Sequence, residues 1–182
     1  MRLEEVLNNY CESLNTKIPI QWHNQGRFEY GRFERFGRQF SIQIERKPII
    51  HLPILKNKRT AEVSFYQYDP ATGDPKFETT SEFNSTEALQ ILGIISNAIF
   101  LKFQEYDAFY FVVKPEYGNV EQKATTYKHI ADRLARSERI RVYERTIENA
   151  PAFLVSKFPV ESTNEGWLNT FVEMLKQTNQ VN

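Results

Sequence analysis

The chain has 182 residues, 41% hydrophobic and 14% aromatic, and its formal net charge is zero. That is enough apolar material for one domain with its own core, and it excludes a disordered chain. A zero net charge excludes a global field that would draw in nucleic acid or an anionic membrane.

Taken in order, Leu3, Val6, Leu7, Tyr10 and Leu14 recur at the spacing of one helix face, so a short amphipathic helix is expected first. Cys11 falls within it. As the single cysteine it allows neither an internal disulfide nor a cysteine metal cluster. Residues 17–22 read as a short apolar strand or loop. Phe28 and Tyr30, then Phe40, Ile42 and Ile44, alternate with polar neighbours about a turn at Phe36-Gly37, which is the pattern of a β-hairpin. Residues 47–57 contain Pro48 and Pro53 and are expected to form a loop with an apolar underside. Residues 60–68 alternate again, with Ala61, Val63 and Phe65 on one face. Pro70-Ala71-Thr72-Gly73-Asp74-Pro75 is a turn, across which residues 76–80 can pair back.

Residues 84–134 organise the rest. Asn84 with Glu87 forms a capping-box pattern, and Ala88, Leu92, Ile95 and Ile99 then mark one helix face. Residues 106–113 are almost all aromatic, β-branched or small, as in a central strand covered on both faces. Pro115 cannot donate to a ladder and ends it. Asn119 with Gln122 repeats the capping pattern, and Val120, Ala124, Tyr127, Ala131 and Leu134 mark a second helix. Residues 139–146 and 152–158 read as strands around the turn Ile147-Glu148-Asn149-Ala150. Ser162 with Glu165 opens a last helix bearing Trp167, Leu168, Phe171, Val172 and Leu175. No repeat or linker divides the chain. One domain over residues 1–182 is expected, of the α+β class: a mostly antiparallel central sheet flanked by helices, with a helix–strand–helix unit and a C-terminal hairpin. No apolar run approaches the roughly 20 residues of a membrane span. The first five residues do not read as a signal peptide, so a cytoplasmic location and no membrane partner are expected.

Charge is unevenly spread. Between residues 61 and 87, Glu62, Asp69, Asp74, Glu78, Glu82 and Glu87 stand against one base, Lys76, whereas bases outnumber acids over residues 114–145. Arg27, Arg32, Arg35 and Arg38 interleave with Phe28, Tyr30, Phe33 and Phe36. Such a stretch can bind single-stranded nucleic acid by phosphate contact and stacking, or a protein surface, or serve the hairpin's own core. Glu29, Glu34 and Glu45 interrupt it. His129, Arg133 and Arg136 are spaced to share a face of the second helix. With Lys123 or Lys128 nearby they could bind phosphate or an acidic partner, or form a solvated face. His23, His51 and His129 have no companions at ligand spacing, so no metal site is expected. There is no nucleophile-elbow or phosphate-loop motif.

The element order is a helix, an antiparallel meander, a helix, a buried strand, a helix and a hairpin. It resembles the core of the GCN5-related N-acetyltransferase fold over residues 26–158. Asn119, Ala124 and Tyr127 look like that family's segment of an Asn followed by a helix bearing Ala and Tyr. The resemblance implies acetyl-CoA as cofactor and Tyr127 as a general acid protonating a leaving thiolate. In that family the cofactor's pyrophosphate rests on backbone N–H groups of a glycine-bearing loop at a helix N-terminus. Residues 79–87 stand in that place with no glycine and with Glu82 and Glu87, which would oppose a pyrophosphate. The expectation is therefore the fold without the cofactor. The apolar strand between a helix and a Tyr-bearing helix also resembles small accessory proteins encoded by tailed phages.

These readings lead to a non-catalytic macromolecule-binding protein whose partner is another protein. The phage resemblance implies an accessory role on a host factor, in the host cytoplasm. The alternatives are an atypical N-acyltransferase using acetyl-CoA and a nucleic-acid-binding protein. An exposed Tyr or Phe patch on the meander could also support a homodimer.

Overall fold

The structure is a computed structural model and describes residues 20–76, 85–113, 120–136, 140–147 and 150–160. The expected first and last helices, with Cys11, Ser162 and Glu165, lie outside the described residues, as do Asn84 and Asn119 at the two expected caps.

The first part of the sheet is a meander. β1 (Gln21–Gln25), β2 (Phe28–Arg35), β3 (Arg38–Arg46) and β4 (Thr60–Tyr68) pair antiparallel in sequence order. Gly26 takes φ +61 at the first position of the β1–β2 turn, where a residue without Cβ meets no steric penalty. Phe36 and Gly37 take φ +54 and +68, the paired left-handed conformations of a type I′ hairpin. That turn sets the register, so Arg35 faces Arg38, Glu34 faces Gln39 and Phe33 faces Phe40. The expected hairpin is present. The strand before it is the polar stretch from Gln21 onward, beginning near the end of the apolar stretch expected there. After β4, the Asp69 carboxylate accepts from the Ala71 N–H at 2.9 Å, and its carbonyl accepts from the Gly73 N–H at 2.7 Å. The chain then turns back into β5 (Pro75–Lys76), paired with the end of β4.

α1 (Ser85–Phe103) carries the chain across to β6 (Ala108–Val112), which pairs parallel with β4. A parallel neighbour requires such a crossover. α2 (Val120–Ala135) leads to the hairpin β7 (Arg141–Ile147) and β8 (Ala150–Ser156), and β8 pairs antiparallel with β6. The result is an eight-stranded mixed sheet in the order β1-β2-β3-β4-β6-β8-β7, with β5 beside the end of β4. The class is α+β as expected, and among the described strands β4–β6 is the parallel junction. Ile147 and Ala150, expected in the last turn, are instead its closing strand pair.

Both helices join one core on one side of the sheet. Ile42, Ile44, Val63, Phe109, Phe111, Phe153 and Val155 meet Ile91, Ile94, Ile95, Ile99 and Ile130 there. Over Thr86–Phe103, α1 is by length and composition long and apolar enough to cross a membrane, yet its isoleucines are spent on this core. On the other face, Ile49, Leu52 and Leu55 form the apolar underside expected of the loop after β3, and they cover Tyr110 and Leu154. β6 is buried on both faces, as its continuous apolar sequence predicts. Each of its phenylalanines contributes about 1.5–3 kcal/mol through burial. A buried carboxylate ties the meander to α1. Glu29 accepts from Arg46 at 2.8 Å, from Lys102 at 2.7 Å and from the Tyr106 hydroxyl.

Candidate functional site

The parallel junction is short. β4 and β6 pair from Thr60 with Ala108 to Glu62 with Tyr110, and the pairing stops there although both strands continue. Phe65 and Phe111 lie beyond the last pair, one on each strand. Tyr127 of α2 fills the space between them. Its ring meets Phe65 edge-on at 5.3 Å and Phe111 at 5.3 Å. The backbone N–H of Phe65 donates to its hydroxyl. Burial, with Glu62 as a secondary cause, pushes the phenol well above the ordinary tyrosine value, so it stays protonated. Tyr127 is 6% exposed and shares its helix face with Ile130, Ala131 and Leu134. Such a group can donate a hydrogen bond or a proton, but a substrate would have to part the two phenylalanines to reach it.

The four hairpin arginines go to different places. Arg27 sits at the β1–β2 turn, exposed, over the Phe28 ring and 3.0 Å from Glu45. Arg32 points to the sheet face away from the helices and lies 5.1 Å over the Tyr68 ring. Arg35 is on the helix side, where its Nη2 donates to Gln90 Oε1 at 2.7 Å. Arg38 stands opposite Arg35. Strand alternation divides what looks continuous in sequence. Phe33 and Phe40 stack in the core, while Phe28 and Tyr30 stack on the other face.

Arg32 instead joins a groove of about 440 Å³ across β1 to β4, with Gln21, His23, Glu34, Gln39 and Tyr68. Its floor is wired by Gln39, whose amide donates to Glu34 at 2.6 Å and whose oxygen accepts from the Tyr68 hydroxyl at 3.2 Å. From sequence, His23 reads only as a histidine without companions and Glu34 as an interruption of the basic stretch, and Gln39 is not marked at all. The signal was present in the turn at Phe36-Gly37, since it sets the register that brings Arg32, Glu34 and Gln39 to one face.

On α2, Arg136 is exposed and His129 and Arg133 are half-buried, and Arg133 and Arg136 each engage neighbours. Lys123 lies one turn before Tyr127 and so shares the side of Tyr127 rather than that of His129. Lys128 pairs with Glu144 of β7 at 3.0 Å. Among the described residues no three His, Cys, Asp or Glu side chains converge as metal ligands. Comparison with protein families, with curated proteins and with solved structures finds no match.

Proposed function

We propose that the chain is a non-catalytic binding protein for another protein, built on an acetyltransferase-like core. The meander, the crossover helix, the parallel central strand and the Tyr-bearing helix support the resemblance in connectivity. The enclosure of Tyr127 carries the non-catalytic reading: the one acid the resemblance implies is held between Phe65 and Phe111. Acetyl-CoA also finds a poor fit, because the first turn of α1 carries Glu87, an acid where a pyrophosphate would sit. The separation of Arg27, Arg32 and Arg35 counts against a continuous nucleic-acid track. A phage-encoded accessory role on a host factor, in the host cytoplasm, rests on resemblance alone.

The acyltransferase alternative has one observation in its favour: the Tyr127 hydroxyl lies where the parallel strands part. Pull-down of the purified chain from a bacterial lysate, beside an acetyl-CoA thermal shift on the same preparation, separates the two. One stoichiometric protein partner without a shift is expected. A clear shift with no partner would replace the binding reading by the acyltransferase one.

A further inference from the structure

Arg32 and Glu34 are opposite charges two residues apart on one face of β2, and both are exposed. A strand sets such residues about 7 Å apart, near enough for long side chains to meet. They do not pair with each other, and neither makes an ion pair elsewhere among the described residues. Tyr68 holds them apart. The Arg32 guanidinium lies over its ring, 5.1 Å from the centre. The Tyr68 hydroxyl donates to Gln39 Oε1 at 3.2 Å, and the Gln39 amide donates to Glu34 Oε2 at 2.6 Å. Glu34, Gln39 and Tyr68 stand in direct register across β2, β3 and β4, so the sheet itself fixes this relay. Both charges line the groove of about 440 Å³, with Gln21 and His23 on its β1 side. That volume falls at the lower end of the range for small-molecule sites. Arg35 and Arg38 lie on the opposite face of the sheet, one residue out of phase with Glu34 and Gln39.

We propose that this groove binds a free α-amino acid, its carboxylate on the Arg32 guanidinium and its ammonium on the Glu34 carboxylate. A guanidinium presents a planar fork that matches a carboxylate through two parallel hydrogen bonds. Glu34 Oε1 accepts no hydrogen bond among the described residues and is open to an ammonium. One carbon separates the two charges of an α-amino acid. The ligand therefore spans the gap between Arg32 and Glu34 with a hydrogen bond of about 2.9 Å at each end. Because Tyr68 and Gln39 hold both charges before the ligand arrives, little ordering is lost on binding. The same pair of charges rejects other ligands. A phosphate or a nucleic-acid strand would meet Glu34, and a simple cation would meet Arg32. The end of a peptide chain carries only one of the two charges. This site goes beyond the protein-binding reading and does not depend on it.

The test uses the full chain and saturation-transfer NMR with each standard amino acid in turn at about 5 mM, a level that reveals millimolar binding. At least one should bind. Its N-acetyl derivative lacks the ammonium and its amide lacks the carboxylate, and each should bind the wild type about tenfold more weakly or worse. Two variants then assign the ends. Glu34→Gln should bind the free amino acid and its N-acetyl derivative alike, and Arg32→Gln should bind the free amino acid and its amide alike. Absence of binding by every amino acid would overturn the proposal. So would equal binding of a blocked derivative, or of glucose as a neutral control, to the wild type. A preference for the free amino acid that survives undiminished in either variant would do the same. The comparison of free and blocked ligands on the wild type is decisive without the variants, so a variant that fails to fold leaves the test intact. Failure of the site would leave the protein-binding reading to its own pull-down.

Discussion

Glu45 and Glu62 stand directly opposite each other on β3 and β4, both buried, and share one ammonium: Lys47 Nζ lies 2.8 Å from a carboxylate oxygen of each. Like charges opposed across two strands are destabilising on their own; Arg27 pairs with Glu45 at 3.0 Å, and Lys47 bridges the two carboxylates. Burial works against its charge, but Glu62 and Glu45 outweigh burial and hold its pKa above the ordinary lysine value. Because the folded value is raised, this contribution is present below the ordinary lysine value of 10.5 and disappears as pH climbs through the folded value. Lys47→Met removes the ammonium that the two buried carboxylates share, leaving Arg27 on Glu45, and should cost about 3–5 kcal/mol in urea denaturation. Adding Glu62→Gln to that variant should recover much of the loss. A Lys47→Met protein as stable as the wild type would show that the cluster contributes nothing.

Glu29 is the acidic counterpart on the helix side. Burial alone would raise its carboxyl, but hydrogen bonds from Lys102, Tyr106 and Arg46 more than offset this and bring it from 4.5 down to about 2. A folded pKa below the unfolded one means stability that is full above pH 4.5 and lost as pH falls toward 2. The shift corresponds to a contribution on the order of 3 kcal/mol. The wild type should therefore lose stability steeply across that acid window. Glu29→Gln, already weaker at neutral pH, should show a flatter slope there. Parallel slopes for the two proteins would clear Glu29 of the effect.

Local patterning reached the strands and helices because their signals are short-range. The alternation around Phe36-Gly37, the apolar run of β6 and the helical spacing of Tyr127, Ala131 and Leu134 each stay within one element. Long-range pairings left no comparable trace. Nothing local to Glu29 announces Lys102, 73 residues away, as its partner, and nothing in β4 says that its pairing with β6 ends at Glu62. The arginines of the hairpin show the intermediate case. Their dispersal to two faces follows from period-two alternation and a turn that were both legible, but composition drew them together as one basic patch. Tyr127 was legible as a core residue from its helix face, whereas its hydrogen bond to Phe65 depends on where two strands part.

Gly31 of β2 pairs with Trp22 of β1, and the indole lies directly on it. A Cβ at Gly31 would stand 2.9 Å from the ring. The other side of the interaction is Lys102, whose Nζ is 4.9 Å from the Trp22 ring. Gly31→Ala forces the indole to move and loosens β1 and the lysine together. A loss of about 1–3 kcal/mol is expected, with altered indole emission read in a Trp167→Phe background. Unchanged emission and stability would mean that the ring has room to shift.

Tyr127→Phe separates the structural role of that residue from a chemical one. The ring contacts with Phe65 and Phe111 survive the change, but the Phe65 N–H loses the oxygen it donates to. A buried donor left without its acceptor costs about 1–3 kcal/mol, so the variant should unfold at lower denaturant with an unchanged slope. On the proposed protein-binding reading, capture of a partner should be unaffected, because Tyr127 is enclosed. If instead the wild type transfers an acetyl group from acetyl-CoA to an amine and Tyr127→Phe loses that rate while keeping its stability, the hydroxyl belongs to the chemistry. The binding reading would then have to yield.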